Sequence, residues 1–187
     1  MSLRNADATR RRLLDAARAE FAEHGIAGAR VDRIAADAEA NKAQIYHYFG
    51  SKDQLFDAVW EELVQRIVAA APIDVEDLPG FAARLSATYA EDPDLIRLIT
   101  WQQLERGDDP PHKYAVESTQ GNIDAIAKAQ ADGVVSDRFN PRVLFALIVH
   151  TAALWGMSGP DVLAVVKLKD PKKRRQVVQE AVAALLA

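Results

Sequence analysis

The stretch VDRIAADAEANKAQIYHYFGSK, residues 31–52, decides how the rest of the chain is read. It holds a short apolar-patterned segment, a break at Ala38-Glu39-Ala40, and a second short segment rich in polar and aromatic side chains. Gly50-Ser51 and Lys52 close it. The pattern predicts two short helices joined by a sharp turn, a helix-turn-helix. With Ile45 as the buried anchor and about 100° of rotation per residue, Phe49 returns to the same face. Ala43 and His47 then point away, flanked by Gln44 and Tyr46. One small residue, one amide and two polar aromatic groups suit a major groove. There an amide pairs with adenine, and small or aromatic groups meet the thymine methyl.

Upstream, Leu13, Leu14, Ala17 and Phe21 recur at helical spacing and predict a first helix over residues 8–24. Asp7 or Thr9 is its expected cap and Gly25 its left-handed stop. Arg10, Arg11 and Arg12 fall in the first turn, where the helix dipole disfavours cations. They read either as a solvated helix start or as groups that approach phosphate. Within the central stretch the two helices span residues 31–38 and 41–48, the second capped by Asn41.

A fourth helix, residues 52–70, starts after Ser51 and carries Phe56, Val59, Leu63 and Ile67 on one face. Pro72, Pro79 and Gly80 mark a loop before a fifth helix at 81–91. A sixth ends at Arg106, with Leu95, Leu98, Ile99 and Gln102 on one face. Residues 107–111, GDDPP, break the chain. Further helices are expected at 112–131, at 141–157 with Asn140 as cap, and at 171–186, with a short apolar piece after Gly159-Pro160. No alternating strand pattern persists. The expected fold is all-α, with about nine helices.

The 187 residues allow one large or two small domains, and almost half are hydrophobic, enough for a sizeable core. No apolar run reaches the roughly 18–20 residues of a membrane span. The polar start and the lack of cysteine fit a cytoplasmic protein without secretory signal or disulfides. The net charge of −4 argues against a protein that coats nucleic acid over its whole surface. Residues 1–50 hold eight bases against seven acids, whereas residues 72–132 hold five against twelve. A near-neutral head with an arginine cluster thus precedes an acidic middle, as in a DNA-contacting head on a body with another task.

Residues 144–149, LFALIV, are apolar nearly all round, so their helix is expected to be covered on more than one side. The last helix places Val177, Val178, Ala181, Val182, Leu185 and Leu186 along a broad stripe. Core packing would account for either. A homodimer interface of these last two long helices would account for both. The run Lys167, Lys169, Lys172, Lys173, Arg174 and Arg175 reads as a solvated face more readily than as a second nucleic-acid patch.

Residues 13–56, LLDAARAEFAEHGIAGARVDRIAADAEANKAQIYHYFGSKDQLF, resemble the TetR (tetracycline-repressor) family of bacterial transcription regulators. Three parts carry the likeness together: LLDAA…F…HG, the Ile34-Ala35 pair eleven residues before YHYF, and GSKDQLF. The turn usually carries glycine where this chain has Glu39. The resemblance implies a DNA-binding domain at residues 1–51 and a helical ligand-binding and dimerisation domain at 52–187. By position it implies DNA contacts from Lys42, Ala43, Gln44, Tyr46, His47 and Tyr48, and phosphate contacts from Arg30 and Lys52. An aromatic cluster within the domain is the other reading of Tyr46, His47 and Tyr48.

Tyr89, Trp101, Gln102 and Tyr114 on the middle helices could line a pocket, which needs apolar walls and a few polar groups; plain core is the alternative. His24, His47, His112 and His150 are scattered, so no metal or other cofactor is expected, and no nucleophile arrangement or phosphate loop suggests an enzyme. The expected function is a ligand-responsive transcription regulator, most simply a repressor. Its expected partners are a palindromic double-stranded DNA operator and a small-molecule effector, with no membrane. The rival readings are an effector-independent dimeric DNA-binding protein and a helical protein–protein adaptor.

Overall fold

The computed structural model describes residues 3–187, so only residues 1 and 2 of the expected head lie outside it. Among the described residues all regular structure is helical. The helices are α1 (Leu3–Gly28), α2 (Val31–Asp37), α3 (Lys42–Phe49), α4 (Lys52–Ala70) and α5 (Leu78–Glu91). They continue with α6 (Pro93–Arg106), α7 (Lys113–Ala131), α8 (Pro141–Met157), α9 (Pro160–Val166) and α10 (Pro171–Leu186). No single described helix is long and apolar enough to cross a membrane.

Several boundaries differ from the sequence expectation. α1 begins at Leu3, so Asp7 and Thr9 lie inside it rather than capping it, and Thr9 is buried. α5 begins at Leu78 because the Asp77 carboxylate accepts from the Gly80 N–H at 2.8 Å. Pro79 fits that first turn, where its missing N–H would have had no helical partner. The short apolar piece after Gly159-Pro160 is a helix of its own, α9, which makes ten helices among the described residues rather than about nine.

The chain divides into two compact units, one of residues up to Val64 with Arg97–His112, the other of Gln65–Ile96 with Lys113–Ala187. The first unit takes in most of α4 and most of α6 besides the helices before them. Its core holds Leu13, Ala17, Phe21, Ile34, Ile45, Leu55, Phe56 and Leu98, all fully buried. Phe21 and Phe56 meet edge-on at 5.2 Å between ring centroids.

In the second unit α5 packs against α8 and α10, and α7 against α8. Leu144, Ile148 and Ala152 of α8 and Val178 and Val182 of α10 face inward. Covering of α8 on several sides, expected from its composition, is not met within the protomer. Val143 (49 % exposed), Ala146, Leu147, Arg142 and His150 instead line an open apolar groove of about 330 Å³. On α10, Val177 and Ala181 face outward. Arg174 of the basic run is tied down: its Nε donates to Leu168 O at 2.6 Å, and its guanidinium lies 5.2 Å from the Trp155 ring centre.

Candidate nucleic-acid interface

α3 is built as a rigid, well-capped rod. Asn41 accepts from the Gln44 N–H at 2.9 Å, and Gln44 Oε1 accepts from the Asn41 N–H at 3.0 Å, a complete capping box. Ile45 and Phe49 are buried; Lys42, Ala43, Tyr46 and His47 are exposed. The outward face read from the sequence is therefore the face the fold leaves open. Gln44 and Tyr48 are half-buried, and Tyr48 sits between neighbours, 5.3 Å from His47 and 6.2 Å from Phe49 between ring centres. Gln44 is also a structural residue, since one lone pair of its carbonyl already serves the cap.

The turn before α3 resolves the question raised by Glu39. Its N–H reaches Ala36 O at 3.1 Å, and the Ala40 N–H reaches Ala35 O at 2.9 Å, the bonding of a Schellman motif. Glu39 occupies the left-handed position with φ 50°, where glycine is usual. A residue with a side chain held there costs about 1–2 kcal/mol. Arg12 offsets part of that strain by reaching across from α1, its Nε donating to Ala38 O at 3.0 Å.

The arginine cluster thus serves the fold directly. Arg10 lies 5.4 Å from the Phe49 ring centre, and Arg11 pairs with Asp15 at 3.1 Å and Glu62 at 2.7 Å. Hydrogen bonds and charge from those two carboxylates raise the Arg11 pKa further. Two of the expected DNA contacts, Lys42 and Lys52, also have internal partners. Lys42 pairs with Asp32 at 3.0 Å, and Lys52 Nζ donates to Ala27 O and Ala29 O, each at 3.2 Å. Lys52 so binds the start of α4 to the carbonyl end of α1, with its third N–H left to point elsewhere. Arg30 is exposed and forms the N-cap of α2.

Glu20 is the residue that sequence reading missed. It is only 6 % exposed, yet its carboxylate accepts from the Arg30 N–H at 2.7 Å and from the Arg33 guanidinium at 2.6–3.0 Å. Burial alone would raise its pKa, but hydrogen bonds from Arg33 and Arg30 with the charges of Arg33 and His24 hold it below the usual value. The signal was present as an acid interrupting the apolar face beside Phe21. A lone sequence does not say which cation answers it.

The four pocket candidates are divided by the fold. Trp101 and Gln102 belong to the first unit, Tyr89 and Tyr114 to the second. Trp101 is a strut: its Nε1 donates to Ala22 O at 3.3 Å and its ring lies against Gly25. Gln102 Oε1 is buried without a partner. Burial lifts the Tyr89 hydroxyl to a pKa of about 12, and Tyr114 is half-buried.

Comparison with known proteins agrees with this architecture. Residues 13–59 match the family described as bacterial regulatory proteins, tetR family. Residues 77–183 match the tetracyclin repressor-like C-terminal domain. The HTH-type transcriptional repressor SCO4008 of Streptomyces coelicolor is 39 % identical over 165 residues, covering 87 % of this chain and 85 % of the relative. The crystal structure of SCO4942 from the same organism, assigned as a transcriptional regulator, superposes with a TM-score of 0.85 at 37 % identity, over 95 % of this chain and 97 % of that one. NalD of Pseudomonas aeruginosa, a repressor of an efflux pump, shares the fold at a TM-score of 0.66 and 18 % identity, over 96 % of each chain. Its likeness speaks for fold alone. A capped, outward-facing α3 on a helix-turn-helix core, together with matches at both ends of the chain, places this protein in the TetR family of regulatory proteins.

Proposed function

We propose that the protein is a homodimeric transcriptional repressor of the cytoplasm that binds a palindromic operator and is released by a small-molecule effector. The observation that carries the DNA reading is α3, which presents Lys42, Ala43, Tyr46 and His47 outward from a core of Ile45 and Phe49. In this reading residues 1–51 form the DNA-binding domain and residues 52–187 the ligand-binding and dimerisation domain. Ala43, Gln44, Tyr46, His47 and Tyr48 meet base edges, while Arg30, Lys42 and Lys52 address phosphates. Two heads lie in successive major grooves, about one helical turn apart or a multiple of it. An effector shifts operator affinity only as far as it binds the two head spacings unequally.

Gel shifts on DNA upstream of the protein's own gene test the reading, which fails if no sequence-preferring binding is seen at low salt. Gln44→Ala should change preference at one or two base pairs by about 1–3 kcal/mol. Lys52→Ala should weaken all sites alike and flatten the salt dependence. A base-selective loss from Lys52→Ala would show that its assigned role is wrong.

The dimer reading follows from the outward apolar faces of α8 and α10, including the groove at Val143 and Leu147. Val178 lies wholly inside the protomer, so substituting it tests the fold rather than association. Val143→Asp with Val177→Asp addresses exposed positions and should give a folded monomer in sedimentation equilibrium. A dimer that persists at micromolar concentration would place the interface elsewhere.

A further inference from the structure

The joint before α3 holds a conformation that its own residue resists. Glu39 stands at φ 50° between α2 and α3, where an L side chain is crowded against its own backbone. Such a residue stays in place only where its surroundings over-determine it. Two backbone bonds of the turn do part of this, Glu39 N–H to Ala36 O at 3.1 Å and Ala40 N–H to Ala35 O at 2.9 Å. Both belong to the left-handed conformation itself and are lost together if Glu39 leaves it. An independent tie comes from Arg12 of α1, whose Nε donates to Ala38 O at 3.0 Å. Ala38 is the C-cap of α2 and only 1 % exposed, so its carbonyl sits where bulk water does not simply replace a lost partner.

The direction in which the chain enters α3 depends on that turn. Asn41, just past it, caps α3, so a change of φ at Glu39 swings the cap and the face of Lys42, Ala43, Tyr46 and His47 with it. Arg10, on the same helix as Arg12, lies over the Phe49 ring at 5.4 Å, so α1 also reaches the last residue of α3. We propose that Arg12 is a positioning residue for DNA recognition: it latches the strained turn at Glu39 from α1 and so sets the orientation of α3 in the groove, without itself meeting DNA. The proposal rests on the reading of α3 as the helix that reads DNA. A latch of this kind acts on selectivity. Base-edge contacts need α3 in one orientation, whereas phosphates attract the cations of the head in many. Loss of the latch therefore falls on operator binding and spares non-operator binding. It also makes Arg12 and Glu39 interdependent, because Glu39→Gly removes the crowding and leaves Arg12 less to hold.

The test uses the full-length protein and fluorescence anisotropy, with a labelled DNA fragment from upstream of its own gene and labelled poly(dI-dC) as non-operator DNA. Arg12→Ala should weaken binding of the upstream fragment about tenfold, the scale of the left-handed penalty, and change poly(dI-dC) binding by less than about twofold. The salt slope should stay the same, because no phosphate contact is removed. Adding Glu39→Gly to Arg12→Ala should recover most of the loss. Hydrogen exchange without DNA should show the protection of the Ala40 N–H falling about tenfold in Arg12→Ala and returning in the double variant. Equal losses on both DNAs, with a slope shallower by about one, would make Arg12 a phosphate contact and overturn the latch. So would undiminished operator binding, or a loss that Glu39→Gly leaves untouched. Unchanged protection of Ala40 in a protein that selects its operator would overturn the latch alone. Protection that responds as expected, in a wild-type protein with no sequence preference, would overturn the reading of α3 as the DNA-reading helix.

Discussion

Gly25→Ala is expected to destabilise the protein by about 2–6 kcal/mol, the sum of a backbone and a packing penalty. Gly25 interrupts α1 with φ 72° and ψ 178°, a region that essentially only glycine occupies. Forcing a side chain there costs about 1–3 kcal/mol. An alanine Cβ would also lie 2.6 Å from Glu105 Oε1 and 2.9 Å from Trp101 Cε3. Neither neighbour can retreat without loss, because Glu105 accepts from the Ala27 N–H at 2.8 Å and Trp101 donates to Ala22 O at 3.3 Å. Overpacking of this kind adds about 1–3 kcal/mol. Urea unfolding followed by circular dichroism reads the change in midpoint at constant slope. In a Glu105→Ala background one collision is gone, so the same substitution should cost less. Equal costs in the two backgrounds would assign the effect to backbone strain and the Trp101 contact alone, and a cost below about 1 kcal/mol would show that Gly25 is not held as described.

Gly25 also marks the limit of what the sequence reveals. Its place at the end of a periodic run announces a helix stop, and the stop is there. That α6 returns seventy-odd positions later to press Trp101 and Glu105 on it is a long-range fact with no local signature. The same holds elsewhere. Ile45, Phe49 and the exposed face of α3 were legible because a helix repeats every 3.6 residues and Asn41 announces its start. The Schellman turn at Glu39 was not, because a side chain disfavours the left-handed conformation locally and its support, Arg12, comes from another helix. The pocket candidates were chosen by residue type on neighbouring helices. The fold sent two of them to each unit and made Trp101 a strut, which composition cannot foresee.

Glu20→Ala should cost about 1.5–2 kcal/mol at neutral pH, at the lower end for hydrogen bonds lost to a charged group. The lower end applies because the orphaned Arg33 side chain is 40 % exposed and can rehydrate. What is lost is the joint between α1 and the start of α2, where one carboxylate holds both the Arg30 N–H and the Arg33 guanidinium. The lowered native pKa of Glu20 gives the effect a pH signature. Its stabilisation is fully present above the unfolded-state value of about 4.3 and disappears as pH falls through the lowered native value. Wild-type stability should therefore drop as the pH falls below about 4.3 more steeply than that of Glu20→Gln, which keeps the shape and removes the titrating group. Equal slopes in that window would mean that Glu20 does not carry the joint. Because Arg30 and Arg33 frame the first turn of the helix that supports α3, the same substitution should weaken operator binding even where most of the protein remains folded. A variant that bound DNA normally would show that α3 is positioned by its core contacts, Ile34 and Ile45, without help from this pair.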